Sequence, residues 1–205
     1  MTIEFREWPK TSRFFRDIVI TEKIDGTNAA IGIKVVENTN HENAIDYVCS
    51  DDKIYAVYAQ SRSKLITQGK ANDNYGFAGW VAEHSAELVQ HLGEGLHFGE
   101  WWGSGIQRGY GLTKGDKRFS LFNTARFANI EEESDGLLLV VPTLYEGSMS
   151  IEEAQYSLRH LENYGSVASP GFMNPEGICI YHTSSRTVTK VTLDNNDAGK
   201  WEYAY

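Results

Sequence analysis

A lysine between two carboxylates marks the segment VITEKIDGTNAAIGI, residues 19–33. Glu22, Lys23 and Asp25 follow one apolar run, and Gly26 opens the turn that leads into the next. A lysine can act as a nucleophile when burial and a neighbouring cation keep its amine partly neutral. Gly26 has no side chain and would let a phosphate approach the backbone closely. On these residues alone, a surface lysine before a turn is the simpler interpretation.

Strand-like runs dominate the rest of the chain. The spacing of apolar residues predicts strands over 17–24, 29–36, 54–61, 96–101, 119–122, 137–141, 177–182 and 187–193. These strands do not alternate with helices, as the strands of a parallel βαβ fold do. The pattern therefore predicts an α+β domain of antiparallel sheets with flanking helices.

Two helices interrupt the predicted strands. The first spans about 77–92 and ends at Gly93. The second begins with Ser150 and Glu153, which form a capping-box pair, and ends before Gly165. The residues expected on its buried face are Ile151, Ala154, Leu158 and Leu161.

The composition predicts a single globular domain over 1–205. With 41% apolar and 12% aromatic residues, a chain of 205 residues can form one well-packed core. We find neither an apolar run of membrane-spanning length nor the apolar segment of a signal peptide, so no membrane partner is expected. Cys49 and Cys179 form no CxxC pair, and we expect two buried free thiols in a reducing cytoplasm.

The net charge of −9 is unevenly distributed. Residues 131–162 hold eight acids against Arg159 and contribute −7 of it, which leaves −2 for the remainder. A glycine-rich stretch carries several cations, with Asp116 as the opposing acid. These cations are Arg108, Lys114, Lys117 and Arg118. They form a candidate RNA-binding surface, and a solvated loop explains them equally well.

Six short motifs occur in a fixed order along the chain. They are EKIDGTN at 22–28, SRS at 61–63, HFGEWWG at 97–103, FSLFN at 119–123, PEGICIY at 175–181 and TKVTL at 189–193. Together they resemble the motifs of the covalent nucleotidyltransferases, the superfamily of polynucleotide ligases and mRNA capping enzymes. The pair Thr27-Asn28 after KIDG resembles the residues that follow this motif in the RNA ligase branch in particular. The resemblance runs from about residue 20 to residue 193, and it implies an ATP-grasp-like ligase adenylation domain.

The resemblance also implies roles for individual residues. Lys23 would attack the α-phosphorus of ATP, release pyrophosphate and hold AMP as a phosphoramidate. Glu176 would hold Mg²⁺, or Mn²⁺, near the α-phosphate, as suits a carboxylate. The implied nucleotide-binding residues are Glu22, Asn28, Arg62, Glu100, Phe122, Glu176 and Lys190. Among these, Glu100 would accept a ribose hydroxyl, Phe122 would stack on adenine, and Lys190 would bind α-phosphate oxygens.

The combined interpretation is an ATP-dependent RNA ligase that joins 5′-phosphate and 3′-hydroxyl ends of RNA through lysyl-AMP, as in cytoplasmic RNA repair. Two positions depart from the family pattern: Thr192 replaces a lysine, and Asn123 replaces a carboxylate. Few residues follow Leu193, so we expect no OB domain. The alternatives are a DNA ligase, a GTP-using capping-type transferase, or a nucleotide-binding pseudoenzyme that does not ligate. The sequence indicates no oligomeric state.

Overall fold

The computed structural model describes residues 3–69 and 71–194. Two sheets make up the framework of these residues. The strands are β1 (Asp17–Lys23), β2 (Thr27–Val36), β3 (Asp46–Ser50), β4 (Lys53–Ser61), β5 (Leu65–Ile66), β6 (Gly95–Gly103), β7 (Lys117–Leu121), β8 (Leu139–Val140), β9 (Thr143–Ser148), β10 (Gly177–His182) and β11 (Thr187–Thr192). The helices are α1 (Phe77–Glu83), α2 (Ser85–Leu92), α3 (Ile130–Glu133) and α4 (Ile151–Tyr164).

The smaller sheet has the strand order β11-β10-β1-β9, and all of its pairings are antiparallel. The larger sheet has the order β3-β4-β2-β6-β7-β8, with β5 beside β4. Its pairings are antiparallel except for β7 with β8, which is parallel. The predicted α+β fold with antiparallel sheets and flanking helices is therefore confirmed. The turn at 24–26 carries the chain from β1 in the smaller sheet to β2 in the larger one.

Each sheet buries one face against helices. Alternate residues of β2, namely Ala29, Ile31 and Ile33, pack with Phe77 of α1 and Leu88 of α2. In the smaller sheet, Ile18, Ile20 and Ile178 pack against Leu161 of α4. Burial of such a side chain contributes roughly 1.5–3 kcal/mol. Because strand side chains alternate between faces, the remaining residues of both sheets are left to form the site.

The predicted helix 77–92 is interrupted at His84. The backbone of His84 leaves the helical region (φ −112°, ψ 19°), and α1 and α2 lie on either side of it. Ser85 is buried and its hydroxyl donates to the carboxylate of Asp46 on β3. That tertiary contact, together with the separate packing of each helix on the core, explains a break that helical periodicity did not reveal.

Three further predictions need correction. Strands β3, β5 and β9 were not predicted, because β3 and β9 alternate weakly between apolar and polar residues and β5 has two residues only. Ile151, predicted on the buried face of α4, is 61% exposed at the start of that helix. The predicted cap is present, because the Ser150 hydroxyl accepts a hydrogen bond from the Glu153 N–H (3.2 Å). Cys49 is exposed rather than buried, because it lies on the edge strand β3. No helix in residues 3–69 and 71–194 is long and apolar enough to cross a membrane.

Candidate active site

Lys23 is the last residue of β1 and lies beside Gly177 on β10. Ile18 and Ile20 of the same strand face α4. Because Lys23 is an odd number of residues from both, its side chain projects from the opposite face of the sheet. The strand alternation thus directs the amine toward the space between the two sheets, which we call the cleft.

Glu176 is the direct partner of Lys23. The Lys23 Nζ donates to Oε2 of Glu176 at 2.5 Å, and the two side chains are 22% and 16% exposed. The residues are 153 positions apart in the chain, and the pairing of β1 with β10 brings them together. A charge-assisted hydrogen bond of this kind holds the amine in one position at the mouth of the cleft.

Glu100 enters the same site from β6 of the larger sheet. Its Oε1 accepts a hydrogen bond from the Gly26 N–H (3.2 Å). Burial raises the pKa of Glu100 to about 7, against the opposing effects of the Lys23 ammonium and the Gly26 N–H, while the carboxylates of Glu176 and Asp25 raise it further. A Cβ at Gly26 would lie 2.5 Å from the Trp101 carbonyl oxygen, so only glycine lets the turn approach β6 this closely.

The raised pKa of Glu100 predicts a pH-dependent stability that glutamine would remove. The folded state binds the proton of the Glu100 carboxyl more tightly than the unfolded chain does. The resulting stabilisation is therefore complete below about pH 4.5 and is lost as pH rises through about 7. The free energy of unfolding of Glu100→Gln should therefore increase relative to that of the wild type, by up to about 3 kcal/mol, as pH rises from 5 to 8.5. Urea unfolding of the ligand-free protein at several pH values measures this. Glu83→Gln, at an exposed position, should show no such trend, and a parallel pair of wild-type and Glu100→Gln profiles would refute the prediction.

Three predicted nucleotide contacts lie on the cleft face of the larger sheet. Asn28 on β2 is the direct cross-strand neighbour of Glu100 on β6. Arg62 follows the end of β4 and is exposed. Phe122 follows β7, is 42% exposed and donates its backbone N–H to the Phe98 carbonyl (3.0 Å). The structure thus brings these side chains to one surface, with an aromatic ring accessible for stacking.

Lys190 lies on the cleft face of the smaller sheet. Its neighbour on β10 is Cys179, and Thr21 of β1 lies on the other side of Cys179. Lys190 is exposed, and two strand spacings place its backbone roughly 10 Å from β1. Burial raises the pKa of the Cys179 thiol. The ammonium groups of Lys23 and Lys190 lower this pKa, and the carboxylates of Glu176 and Glu100 raise it. Cys179 is therefore a cleft residue that its sequence position alone did not reveal.

Glu22 has a different environment from the one predicted. It is 1% exposed, and its Oε2 accepts hydrogen bonds from the N–H groups of Val167 (2.8 Å) and Ala168 (2.9 Å). Burial raises its pKa, against hydrogen bonds from Ser166, Ala168 and Val167. It shares the α4-facing side of β1 with Ile20, opposite to Lys23. The side chain thus anchors the loop after α4, and it does not line the cleft.

Tyr110 supports the Lys23 turn from beneath and was missed in the sequence. It is fully buried, and its hydroxyl accepts a hydrogen bond from the Asp25 N–H (2.9 Å) and donates to the Lys23 carbonyl (3.4 Å). Its backbone has φ 50°, which is uncommon for a residue with a side chain. Its ring packs on Phe172 at 4.6 Å between centroids. The glycines on both sides of Tyr110 were the available signal for this unusual turn.

Removal of the Tyr110 hydroxyl should loosen the turn that presents Lys23. Tyr110→Phe leaves the Asp25 N–H without its partner, which costs about 1–3 kcal/mol for a buried group. We expect a lower midpoint of urea unfolding. We also expect a slower reaction of Lys23 with ATP, the step that the motifs predict, when it is measured under single-turnover conditions. Tyr145→Phe is the matched control, because that hydroxyl donates to the Ser148 carbonyl (3.0 Å) at an exposed site. Equal effects of the two substitutions would contradict a special role for Tyr110.

Arg108, predicted as a solvent-facing RNA contact, is part of the site instead. Its Nε donates to Oδ2 of Asp25 (3.0 Å), and its other nitrogens donate to Asn174, Pro175 and Asp194. Its side chain is 15% exposed. The guanidinium thus links the Lys23 turn to the segment before Glu176, which corrects its assignment to an open basic surface.

The other members of the predicted basic surface are partly engaged. Lys117 donates its Nζ to the Tyr75 carbonyl (2.8 Å). Arg118 pairs with Asp116 (3.4 Å), and its guanidinium carbon lies 5.7 Å from the centre of the Trp102 ring. Lys114 is exposed. A contact with RNA at these three lysine and arginine residues stays a prediction.

The donors around Lys23 fit a divalent cation that shares its coordination with a bound phosphate. Within the described residues, no three His, Cys, Asp or Glu side chains lie close enough to enclose a metal ion. Mg²⁺ and Mn²⁺ prefer carboxylate oxygens, and Mg²⁺ is commonly bound by one or two carboxylates together with water and substrate phosphates. Glu176 and Glu100 lie near enough for the charge of the first to raise the pKa of the second. They supply a donor set of this kind.

Comparison with protein-family models identifies one match, to the RNA ligase family, over residues 16–199. The match begins just before β1 and includes all six motifs. No curated protein sequence matches the chain significantly.

Solved structures of the RNA ligase from Naegleria gruberi share the fold. A variant with ATP and manganese has a TM-score of 0.57 at 15% identity and aligns with 88% of this chain and 50% of its own. A variant with AMP and manganese has a TM-score of 0.55 at 14% identity, with 87% and 50% aligned. The enzyme with pyrophosphate has a TM-score of 0.55 at 16% identity, with 86% and 49% aligned. The chain therefore spans about half the length of these structures, which share its two-sheet fold.

Proposed function

The chain belongs to the RNA ligase family, and on that premise we propose that it is an ATP-dependent RNA ligase that acts through a covalent lysyl-AMP intermediate. The observation that carries the proposal is the position of the Lys23 amine. It lies in the cleft between the sheets, hydrogen-bonded to Glu176, with Glu100 held beside it by Gly26. The ATP, AMP and pyrophosphate in the solved Naegleria structures agree with this chemistry.

In the first step, the Lys23 nitrogen would attack the α-phosphorus of ATP. The new N–P bond replaces the P–O bond to pyrophosphate, which leaves, and the lysine ammonium releases two protons to water and keeps one as the phosphoramidate N–H. Glu176 holds the attacking nitrogen in place, and the positioning of reactants is the main protein contribution to phosphoryl transfer. A divalent cation held by Glu176 and Glu100 would, when bound, add positive charge beside the α-phosphate.

Residues of both sheets would hold the nucleotide during this step. Phe122 offers a partly exposed ring to the adenine, and Glu100 can accept a hydrogen bond from a ribose hydroxyl. Arg62 and Lys190 offer exposed cations, from the larger and the smaller sheet respectively, to the phosphates. Since charge develops on the phosphoryl oxygens in the transition state, cations on both sides of the cleft would accelerate the reaction.

In the later steps, AMP would pass from Lys23 to the 5′-phosphate of an RNA end. The 3′-hydroxyl of a second end would then displace AMP and form the phosphodiester bond. Asn28, beside Glu100, would help to position the phosphates. We assign all of these residues to one nucleotidyltransferase unit, because they come from the two sheets that the turn at 24–26 connects.

Incubation with each of the four α-³²P-labelled nucleoside triphosphates and Mg²⁺ or Mn²⁺, followed by denaturing electrophoresis, tests this proposal. Label from ATP alone is the expected result. Label from GTP alone would indicate capping-type chemistry and overturn the assignment. If no triphosphate labels a folded protein that still binds ATP, the chain is a nucleotide-binding module and not a ligase. Sealing of a preadenylylated RNA then tests the final step separately.

A further inference from the structure

The cleft face of the larger sheet, opposite to the one that packs on α1 and α2, continues beyond the residues assigned to the nucleotide. Its central strand β2 turns Ala29, Ile31 and Ile33 into the core. The residues between them therefore project from the other face, and these are Asn28, Ala30, Gly32 and Lys34. The same alternation assigns Tyr58 and Gln60 of β4, and Leu96, Phe98 and Glu100 of β6, to this face. We call it the open face.

Large apolar side chains are exposed on the open face. Leu96 and Phe98 on β6 are 49% and 45% exposed, and Leu65 on β5 is 48% exposed. Phe122 extends the same row at the end of β7. Large apolar groups that remain exposed on neighbouring strands are typical of surfaces that bind a partner.

Gly32 creates a depression in the middle of this face. A Cβ at Gly32 would lie 3.3 Å from the Tyr58 Cβ and 3.7 Å from the Leu96 Cδ1, so these two side chains flank the glycine closely. The depression has a volume of about 260 Å³, and Lys34 and Leu65 also line it. The small residues Ala30 and Gly32 thus lower the centre of the face, while Tyr58 and Leu96 border it.

The charges on this face favour an anionic partner. Lys34 is exposed at one end and Arg62 at the other, in a chain with a net charge of −9. Glu94, near Lys34, accepts a hydrogen bond from the Val35 N–H (3.1 Å). Glu100, the other acid of this face, lies at its nucleotide end, four residues along β6 from Leu96. Exposed rings between exposed cations are the combination that single-stranded nucleic acids bind through base stacking and phosphate contacts.

We propose that the open face binds single-stranded RNA next to the nucleotide cleft, with bases on Phe98, Leu96 and Tyr58 and phosphates near Lys34 and Arg62. This inference rests on the proposed function and names where that function's polynucleotide lies. The distance along β6 from Glu100 to Leu96 is about 13 Å. A sheet face with such rings accommodates about two or three stacked bases. The RNA end would thereby be held beside Lys23.

A second copy of the chain is the other candidate for this face. The cores of interfaces between proteins are depleted in lysine, whereas Lys34 lines the depression itself. The row of apolar residues also leads directly to Phe122 and Glu100, that is, to the place where the RNA end must react. Both features favour RNA.

Fluorescence anisotropy with a 5′-phosphorylated, labelled 12-nucleotide RNA and the full chain tests the proposal. Phe98→Ala and Lys34→Ser should each weaken binding, Phe98→Ala by roughly 5- to 150-fold, which is the range expected for one stacking ring. Both variants should form the lysyl adduct with ATP at the wild-type rate, because neither residue belongs to the proposed nucleotide-binding set. Tyr156→Ala is the matched control, since Tyr156 is 63% exposed on α4.

Wild-type affinity in a folded Phe98→Ala, Lys34→Ser double variant would overturn the proposal. Light scattering that shows a dimer for the wild type and a monomer for the double variant, with RNA affinity unaltered, would overturn it as well. That result would assign the face to a second copy of the chain. Failure of the wild type to label with ATP would instead contradict the proposed function. Anisotropy needs no catalysis, so it decides the role of the open face in either case.

Discussion

Lys23→Ala should abolish formation of the covalent AMP adduct, reducing the label to background. The amine is the only group that the proposed first step bonds to phosphorus, so no other side chain can replace it. Lys23→Arg should also be inactive, because a guanidinium remains protonated and cannot attack. Gel quantification of label from α-³²P-ATP measures both variants. The wild-type adduct should be labile to acid and stable to alkali, as expected of a phosphoramidate.

Lys23→Arg also separates chemistry from folding. The arginine keeps a positive charge beside Glu176, so its urea unfolding midpoint should stay close to that of the wild type. Lys64→Ala, at an exposed turn position, serves as a control and should label normally. Substantial labelling of either Lys23 variant, or an adduct stable to acid and labile to alkali, would remove Lys23 from the role of nucleophile.

Glu176→Gln should reduce the rate of adduct formation by about 10²–10³-fold, as the loss of a single charge-positioning group does in other enzymes. The amide keeps the shape of the side chain but removes the negative charge that holds the Lys23 ammonium and that suits a divalent cation. The effect should appear in the rate at saturating ATP more than in the affinity for ATP, because the carboxylate acts mainly in the transition state. Single-turnover labelling over a series of ATP concentrations distinguishes the two.

Stability is the necessary second measurement for Glu176→Gln. The Lys23–Glu176 pair is partly exposed, so its loss should cost about 1 kcal/mol or less. Glu146→Gln, at an exposed position on β9, is the matched control and should leave both labelling and stability unchanged. A Glu176→Gln protein that labels at the wild-type rate would show that the carboxylate is dispensable. A large loss of stability would identify it as a structural residue.

Local pattern alone was sufficient for much of the fold, and the motif resemblance indicated the central residues of the candidate site. The period of two in segments such as 17–24 and 29–36 indicated strands, because a strand with one buried face must alternate. The capping pair before α4 located that helix for a similarly local reason. The six motifs indicated Lys23, Glu100 and Glu176, and the structure brings these three together.

Only the tertiary structure decided which face of each strand the site would use. Because strand side chains alternate between faces, Glu22 and Lys23 must point in opposite directions. The packing of α4 on Ile18 and Ile20 determines which of the two enters the cleft. The supports of the Lys23 turn were equally hidden: Tyr110 and Arg108 reach Asp25 across 85 and 83 residues of chain. Sequence patterns describe neighbours within a few residues, whereas these contacts depend on how two sheets and their loops pack together. The proposed nucleophile was therefore indicated by the motif resemblance, while the groups that hold it in place became visible only in the folded chain.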